Sequence, residues 1–210
     1  MSPPELALSG WRRAVGELYS AVRASTPEVG HALWRAGRDK LFRTHPQSPL
    51  PDGDPLRASG LPYWPYDPEF RFTVPVEPEP VPQTLRVDAG ADGVIALRQF
   101  GWVSVPDPVN ARMAVWWLDQ YAGGIFLPVR DGTAGDTTYG GGRYLLDTAK
   151  GADLGGTDTS LVLDFNFLYH PSCRYNPAWT CPLAPPANRT ATPIPAGERI
   201  TAPNTCPTVR

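Results

Sequence analysis

Phe70-Arg71-Phe72-Thr73-Val74-Pro75-Val76 decides the fold class, because apolar and polar side chains alternate strictly along it. In an extended chain this places Phe70, Phe72, Val74 and Val76 on one face and Arg71 and Thr73 on the other, the pattern of a strand with one buried side. The prolines that follow predict an edge or a strand end. Downstream, Leu85 to Ala89, Val94 to Val105, Arg112 to Tyr121 and Ile125 to Arg130 read as successive strands. The segments between them, Gly90-Ala-Asp-Gly93, Pro106-Asp-Pro-Val-Asn110 and Gly123-Gly124, are turn material for antiparallel hairpins. Arg143 to Thr148 and Leu161 to Tyr169 predict two more strands, joined by the glycine-rich loop 151–156. Thr190 to Ile200 predicts a last edge strand, interrupted by Pro193 and Pro195, and the tail 201–210 is expected to be poorly ordered.

Upstream the period changes. Trp11, Val15, Leu18, Tyr19 and Val22 fall at helical spacing behind Ser9, which can cap the first turn. Thr26-Pro27-Glu28 offers a cap, a proline for the first helical position and an acid in the first turn, so a second helix is expected to about Phe42, with Val29, Leu33, Trp34 and Leu41 packed on the body. The expected architecture is mainly β: an antiparallel β-barrel or strongly curved sheet (60–200) carrying two N-terminal amphipathic helices (9–43), all in one domain spanning 1–210.

Composition supports turns over long helices, with 26 prolines and 20 glycines in 210 residues. A net charge of −2 and a pI near 5.9 supply no basic field for nucleic acid or an anionic membrane. Lys40 and Lys150 are the only lysines in an otherwise arginine set, a bias that points to GC-rich bacterial coding. The N-terminus shows no charged segment followed by an apolar run, so a cytoplasmic protein is expected. Cys173, Cys181 and Cys206 have no CxxC spacing; reduced thiols are expected, with pairing of Cys173 and Cys181 as the alternative. No motif anchors a metal, and the Gly140-Gly141-Gly142 run precedes an arginine and a strand, unlike a dinucleotide fingerprint. No cofactor is expected.

Special-purpose residues crowd between Asp131 and Arg189. There lie Asp131-Gly-Thr, Thr138-Tyr139-Gly-Gly-Gly-Arg143-Tyr144, Asp164-Phe-Asn166, Cys173, Tyr175, and Cys181-Pro-Leu-Ala-Pro-Pro-Ala-Asn188-Arg189. On the expected strand Leu161–Tyr169, alternate residues from Leu161 are apolar or aromatic, while Asp164, Asn166 and His170 line up opposite. The candidate acid/base residues are His170, Asp164 and Glu198. Arg71, Arg143, Tyr139, Tyr144, Asn166, His45 and Trp116 are the candidate substrate-binding residues, arginine forks suiting a carboxylated ligand. The competing interpretation is a buried polar network in which Arg71 and Arg143 pair with Asp131, Asp164 or Glu198 and fix the fold. Trp102, Trp116 and Trp117 supply bulky walls, which in a small barrel are core more often than ligand platform.

On these residues the sequence resembles an uncharacterised bacterial family, domain of unknown function 1684, over roughly Trp34 to Arg199. The motifs that carry the resemblance are His45-Pro-Gln-Ser48-Pro-Leu50, the Tyr63, Asp67-Pro68 and Arg71 set, Thr138 to Tyr144, Asp164-Phe-Asn166 and Cys181 to Arg189. The resemblance implies one shared pattern and no activity. His170 stands where the family usually has an asparagine, and Thr190 where leucine is usual.

The residues favour a cofactor-independent enzyme of bacterial specialised metabolism, doing acid/base chemistry such as cyclisation, isomerisation or elimination on a small molecule in an aromatic-lined pocket. The alternatives are a small-molecule-binding barrel without chemistry, and a hydrolase using Ser48 or Cys181.

Overall fold

The computed structural model describes residues 3–90 and 93–200. Helix α1 (Pro4–Arg23) begins a turn before Ser9, which lies inside it and does not cap it. Helix α2 (Pro27–Thr44) starts at Thr26 and Pro27 as expected, although the Thr26 side chain accepts no capping bond. A short helix α3 (Leu56–Ser59) follows. The strands are β1 (Arg71–Pro75), β2 (Glu77–Pro78), β3 (Thr84–Asp88), β4 (Val94–Val105), β5 (Ala111–Leu118), β6 (Ile125–Val129), β7 (Arg143–Asp147) and β8 (Ser160–Asp164).

All strand pairs between these elements are antiparallel. A six-stranded sheet runs β2-β4-β5-β6-β7 with β3 also on β4, and β1 pairs only with β8 in a second, two-stranded sheet. Among the described residues no pairing joins the ends of this path, so the expected barrel is an open pair of sheets. The architecture is two N-terminal helices on antiparallel sheets. The 201–210 tail lies outside the described residues. Among the described residues, no helix is long and apolar enough to cross a membrane.

The central strands are buried on both faces. Met113, Val115, Leu127, Val129 and Leu145 point into a large core shared with α1, α2, β1 and β8. Their alternating neighbours Ala114, Trp116, Phe126 and Tyr144 form a smaller core on the other side. This explains why β7 reads as an unbroken buried run.

Two sequence expectations fail for local reasons. The strand predicted to reach Tyr169 stops at Asp164, because that carboxylate accepts the Asn166 backbone N–H and starts a 3₁₀ turn over Phe165–Phe167. The polar line Asp164, Asn166, His170 is therefore not one face of a strand. Residues 190–200 form no strand; they cross the body as a strap, held by Gly132 N–H to Thr192 O and Glu198 N–H to Leu168 O.

Helix α2 also turns differently from the expectation. Val29 and Leu33 are 54% and 44% exposed, while Trp34 and His31 are buried. His31 stacks on Trp34 at 5.7 Å and meets Tyr66 and Phe167, each at 5.4 Å, and its Nε2 has no partner among the described residues. Burial, and then Arg35, lower its pKa from 6.5 to about 4. Because the folded value lies below the unfolded one, neutral His31 contributes stability that is intact above pH 6.5 and lost as the pH falls toward 4. By the 1.36 kcal/mol per pKa unit relation the loss is about 3 kcal/mol. Replacing His31 with phenylalanine, which fits the aromatic box, should therefore flatten the stability profile between pH 6.5 and 4. Urea titrations at several pH values check this, and an unchanged profile would refute it.

Candidate functional site

The expected site residues separate into three groups. The first is a buried ionic frame around the 190–200 strap. Arg143, at the start of β7, is 1% exposed. Its guanidinium donates to Asp131 Oδ2 at 2.8 Å, to the Ile194 carbonyl at 2.9 Å, to the Glu198 carbonyl at 3.1 Å and to the Ala196 carbonyl. Asp131 also accepts from Thr133 N–H and Oγ1 and from Ile194 N–H. Burial would raise the Asp131 pKa, but the Arg143 charge and the Thr133 bonds bring it below the usual value.

Glu198 is the second hub. Its Oε2 accepts from Arg38 Nη2 at 2.8 Å and from His170 N–H at 3.0 Å; Oε1 accepts from the Tyr175 hydroxyl and lies 3.3 Å from His170 Nδ1. On the other side of the ring, His170 Nε2 accepts the Tyr139 backbone N–H at 3.2 Å. The imidazole is thus held as the neutral Nδ1–H tautomer, and burial, outweighing Glu198, keeps its pKa below the ordinary value. Burial pushes the Glu198 pKa up, while His170 and Arg38 bring it below its usual value. Both ring nitrogens and both carboxylate oxygens are occupied. This frame matches the structural-network interpretation, with Arg38 the member that sequence reasoning missed.

The second group stitches loops to the body. Asn166 clamps the Asp67 backbone, accepting its N–H at 2.9 Å and donating to its carbonyl at 2.8 Å. Asn188 accepts from Trp116 Nε1 at 2.7 Å and donates to the Ala114 carbonyl, which makes Trp116 core and not platform. Tyr144 donates its hydroxyl to the Pro182 carbonyl. Ser48 donates to the Phe42 carbonyl at the end of α2 and accepts Leu50 N–H, and His45 Nδ1 accepts Gln47 N–H, so neither faces the other as nucleophile and base. His45 packs against the edge of Trp11. Cys173 and Cys181 are free thiols, and Cys173 contacts the Tyr139 hydroxyl at 3.9 Å.

The third group faces open space. β1 and β8 pair with Arg71 directly opposite Asp164. The two side chains line a cavity of about 340 Å³, together with Arg23, Ser25 and Phe167. Asp164 Oδ1 accepts from both nitrogens of Asn166, while Oδ2 accepts a long bond from the Tyr66 hydroxyl at 3.4 Å and lies 3.7 Å from Arg71 Nε. Burial raises its pKa to about 6, against the Asn166 bonds and the Arg71 charge. The separation from Arg71 is too long for a hydrogen bond, which leaves the guanidinium fork available. A second cavity of about 100 Å³ lies between the helix pair and the body; Asp147 at the end of β7 lines it. Sequence reasoning missed Asp147, which belongs to none of the motifs that drew attention to the neighbouring residues. Among the described residues, no group of three or more His, Cys, Asp or Glu side chains gathers to hold a metal ion.

Fold and site define a mixed α/β protein whose buried polar residues mostly hold loops in place, with two cavities that such loops leave open. The family described as "Protein of unknown function (DUF1684)" matches residues 58–199, and the chain belongs to it. The match begins after the His45–Leu50 segment. The chain is similar to the solution NMR structure of an uncharacterized protein from gene locus rrnAC0354 of Haloarcula marismortui, at 30% identity and a TM-score of 0.56, over 79% of this chain and 90% of that one. A comparison with curated proteins finds no match.

Replacing Arg143 with lysine, which cannot span this set of acceptors, should cost about 3–5 kcal/mol, the range for breaking a buried ion pair. The loss is read as a lower denaturant midpoint at unchanged slope. A loss below about 1 kcal/mol would mean that backbone contacts alone hold the strap.

Proposed function

We propose that the protein is an enzyme acting on a small carboxylated substrate in the cavity between β8 and the α1–α2 junction, by proton transfer that needs no redox cofactor. One observation carries this reading. Of the three expected acid/base residues, Asp164 lines the larger cavity with a carboxylate oxygen held only by a long bond from Tyr66, and its pKa of about 6 sits within exchange range of neutral pH; His170 lines the smaller cavity but has both ring nitrogens engaged, and Glu198 lines neither. Arg71 would anchor the substrate carboxylate through its unused fork, with Arg23 adding positive charge to the same cavity. The Asp164 Oδ2 atom would take or return the proton, as an isomerisation, elimination or cyclisation requires, while the two Asn166 bonds fix the carboxyl in place. A second reading, binding without chemistry, draws support from the same geometry, since Asp164 Oδ2 holds only the long 3.4 Å bond from Tyr66 and can take a second donor from a ligand.

The test is incubation with a panel of small carboxylic acids in heavy water, with binding and deuterium uptake both followed by NMR. Exchange that disappears in Asp164→Asn while binding persists, with binding lost in Arg71→Met, supports the enzyme. Saturable binding without exchange supports the binding protein, and no binding of any acid removes the cavity from consideration.

Asp164 also carries a stability signature. Its folded pKa lies above the ordinary aspartate value of 3.8, so its favourable contribution is present below pH 4 and lost as the pH rises through 6. Asp164→Asn should therefore stabilise the protein by about 1–3 kcal/mol at pH 7.5 and by little at pH 4. Thermal melts at the two pH values decide it; equal shifts would count against a raised pKa.

A further inference from the structure

The cavity between the helix pair and the body has a different chemistry from the Asp164 site. Its walls are mainly rings: Trp11, Tyr19 and Trp34 from α1 and α2, Tyr144 from β7 and Tyr169 beyond β8, with Ala152 closing one side. Asp147 is 3% exposed, and its Oδ1 has no hydrogen-bond partner among the described residues. Its other oxygen lies 3.6 Å from Lys150 Nζ, whose side chain is 61% exposed and marks the rim. A buried carboxylate oxygen without a donor is costly, and a cavity wall is where a ligand can supply one.

We propose that this cavity binds a small uncharged ring-bearing molecule through a single donor, a hydroxyl or ring N–H of phenol or azole type, given to Asp147 Oδ1. The charges around the cavity favour an uncharged ligand over an ammonium. Lys150 already balances Asp147, and the Arg38 guanidinium already lies 5.2 Å from the Trp34 ring and 4.9 Å from the Phe42 and Tyr169 rings. A second cation there would meet occupied ring faces and like charge. The volume of about 100 Å³ suits one small ring at an open rim, since enclosed apolar cavities of about 150 Å³ accept benzene.

The experiment is calorimetric titration of the whole protein with phenol, toluene and benzylamine, repeated with Asp147→Leu and Ala152→Leu. Phenol should bind about tenfold tighter than toluene, as one hydrogen bond to a charged acceptor provides. Asp147→Leu should abolish that preference while toluene still binds, and Ala152→Leu, which fills the cavity, should remove binding of both. Equal affinity of phenol and toluene for the wild-type protein, tighter binding of benzylamine than of phenol, or no binding of any probe would each overturn the proposal. Should Asp147→Leu fail to fold, the wild-type ranking and Ala152→Leu still decide it.

Discussion

The Arg143 guanidinium is the interaction on which most of the structure depends. It is a permanent charge in the core, and desolvating it is tolerable only because Asp131 and three carbonyls of the 194–198 strap surround it. The strap gains its path from those acceptors, which replace the strand pairing it lacks. Once in place, the strap delivers Glu198 beneath His170 and Arg38. Sheet, strap, α2 and the loop after β8 therefore share one continuous ionic frame, so an isolated change in any member is transmitted to the others.

That frame also explains why density of polar residues misleads as a guide to function. His170, Glu198, Asn166 and Asn188 sit in a crowded, chemically varied region because irregular backbone needs partners, and side chains supply them where no ladder does. The residues left with free capacity are fewer and less conspicuous. Arg71 has no hydrogen bond from its fork among the described residues, Asp164 Oδ2 only a long one, and Asp147 Oδ1 none. The two cavities differ accordingly: one is lined by two arginines and a carboxylate, the other by several aromatic side chains and the unpaired oxygen of Asp147.

The helices and most strands were legible in the sequence, because a period of 3.6 or 2 survives whatever the chain packs against. Phe70 to Val76 is an example, and β4, β6 and β7 fall close to the expected bounds. What was not legible depended on hydrogen-bond partners, some local and most distant in the chain, that periodicity does not report. The alternation through Phe165 and Phe167 continues past Asp164, yet a carboxylate two residues before Asn166 competes with the ladder and turns the backbone. Prolines at 193 and 195 were read as marks of an edge strand, but the strap's course is set by an arginine some fifty residues earlier. In the site, the Arg71–Asp164 pairing needs a strand register that no local pattern encodes. Val29 and Leu33 have helical spacing like that of Trp34, and only the packed body decides which of them it covers.

The position of the strap has a consequence for biosynthesis. Arg143 leaves the ribosome some fifty residues before the carbonyls that solvate it, so during elongation its charge can stay only in water. Burying β7 early would strand that charge in the core, and β7 contributes to both cores. Closure of the body around β7 is thereby deferred until residues 194–198 emerge, so its apolar strands stay without their strap while the intervening chain is made, a window in which a chaperone can shield them.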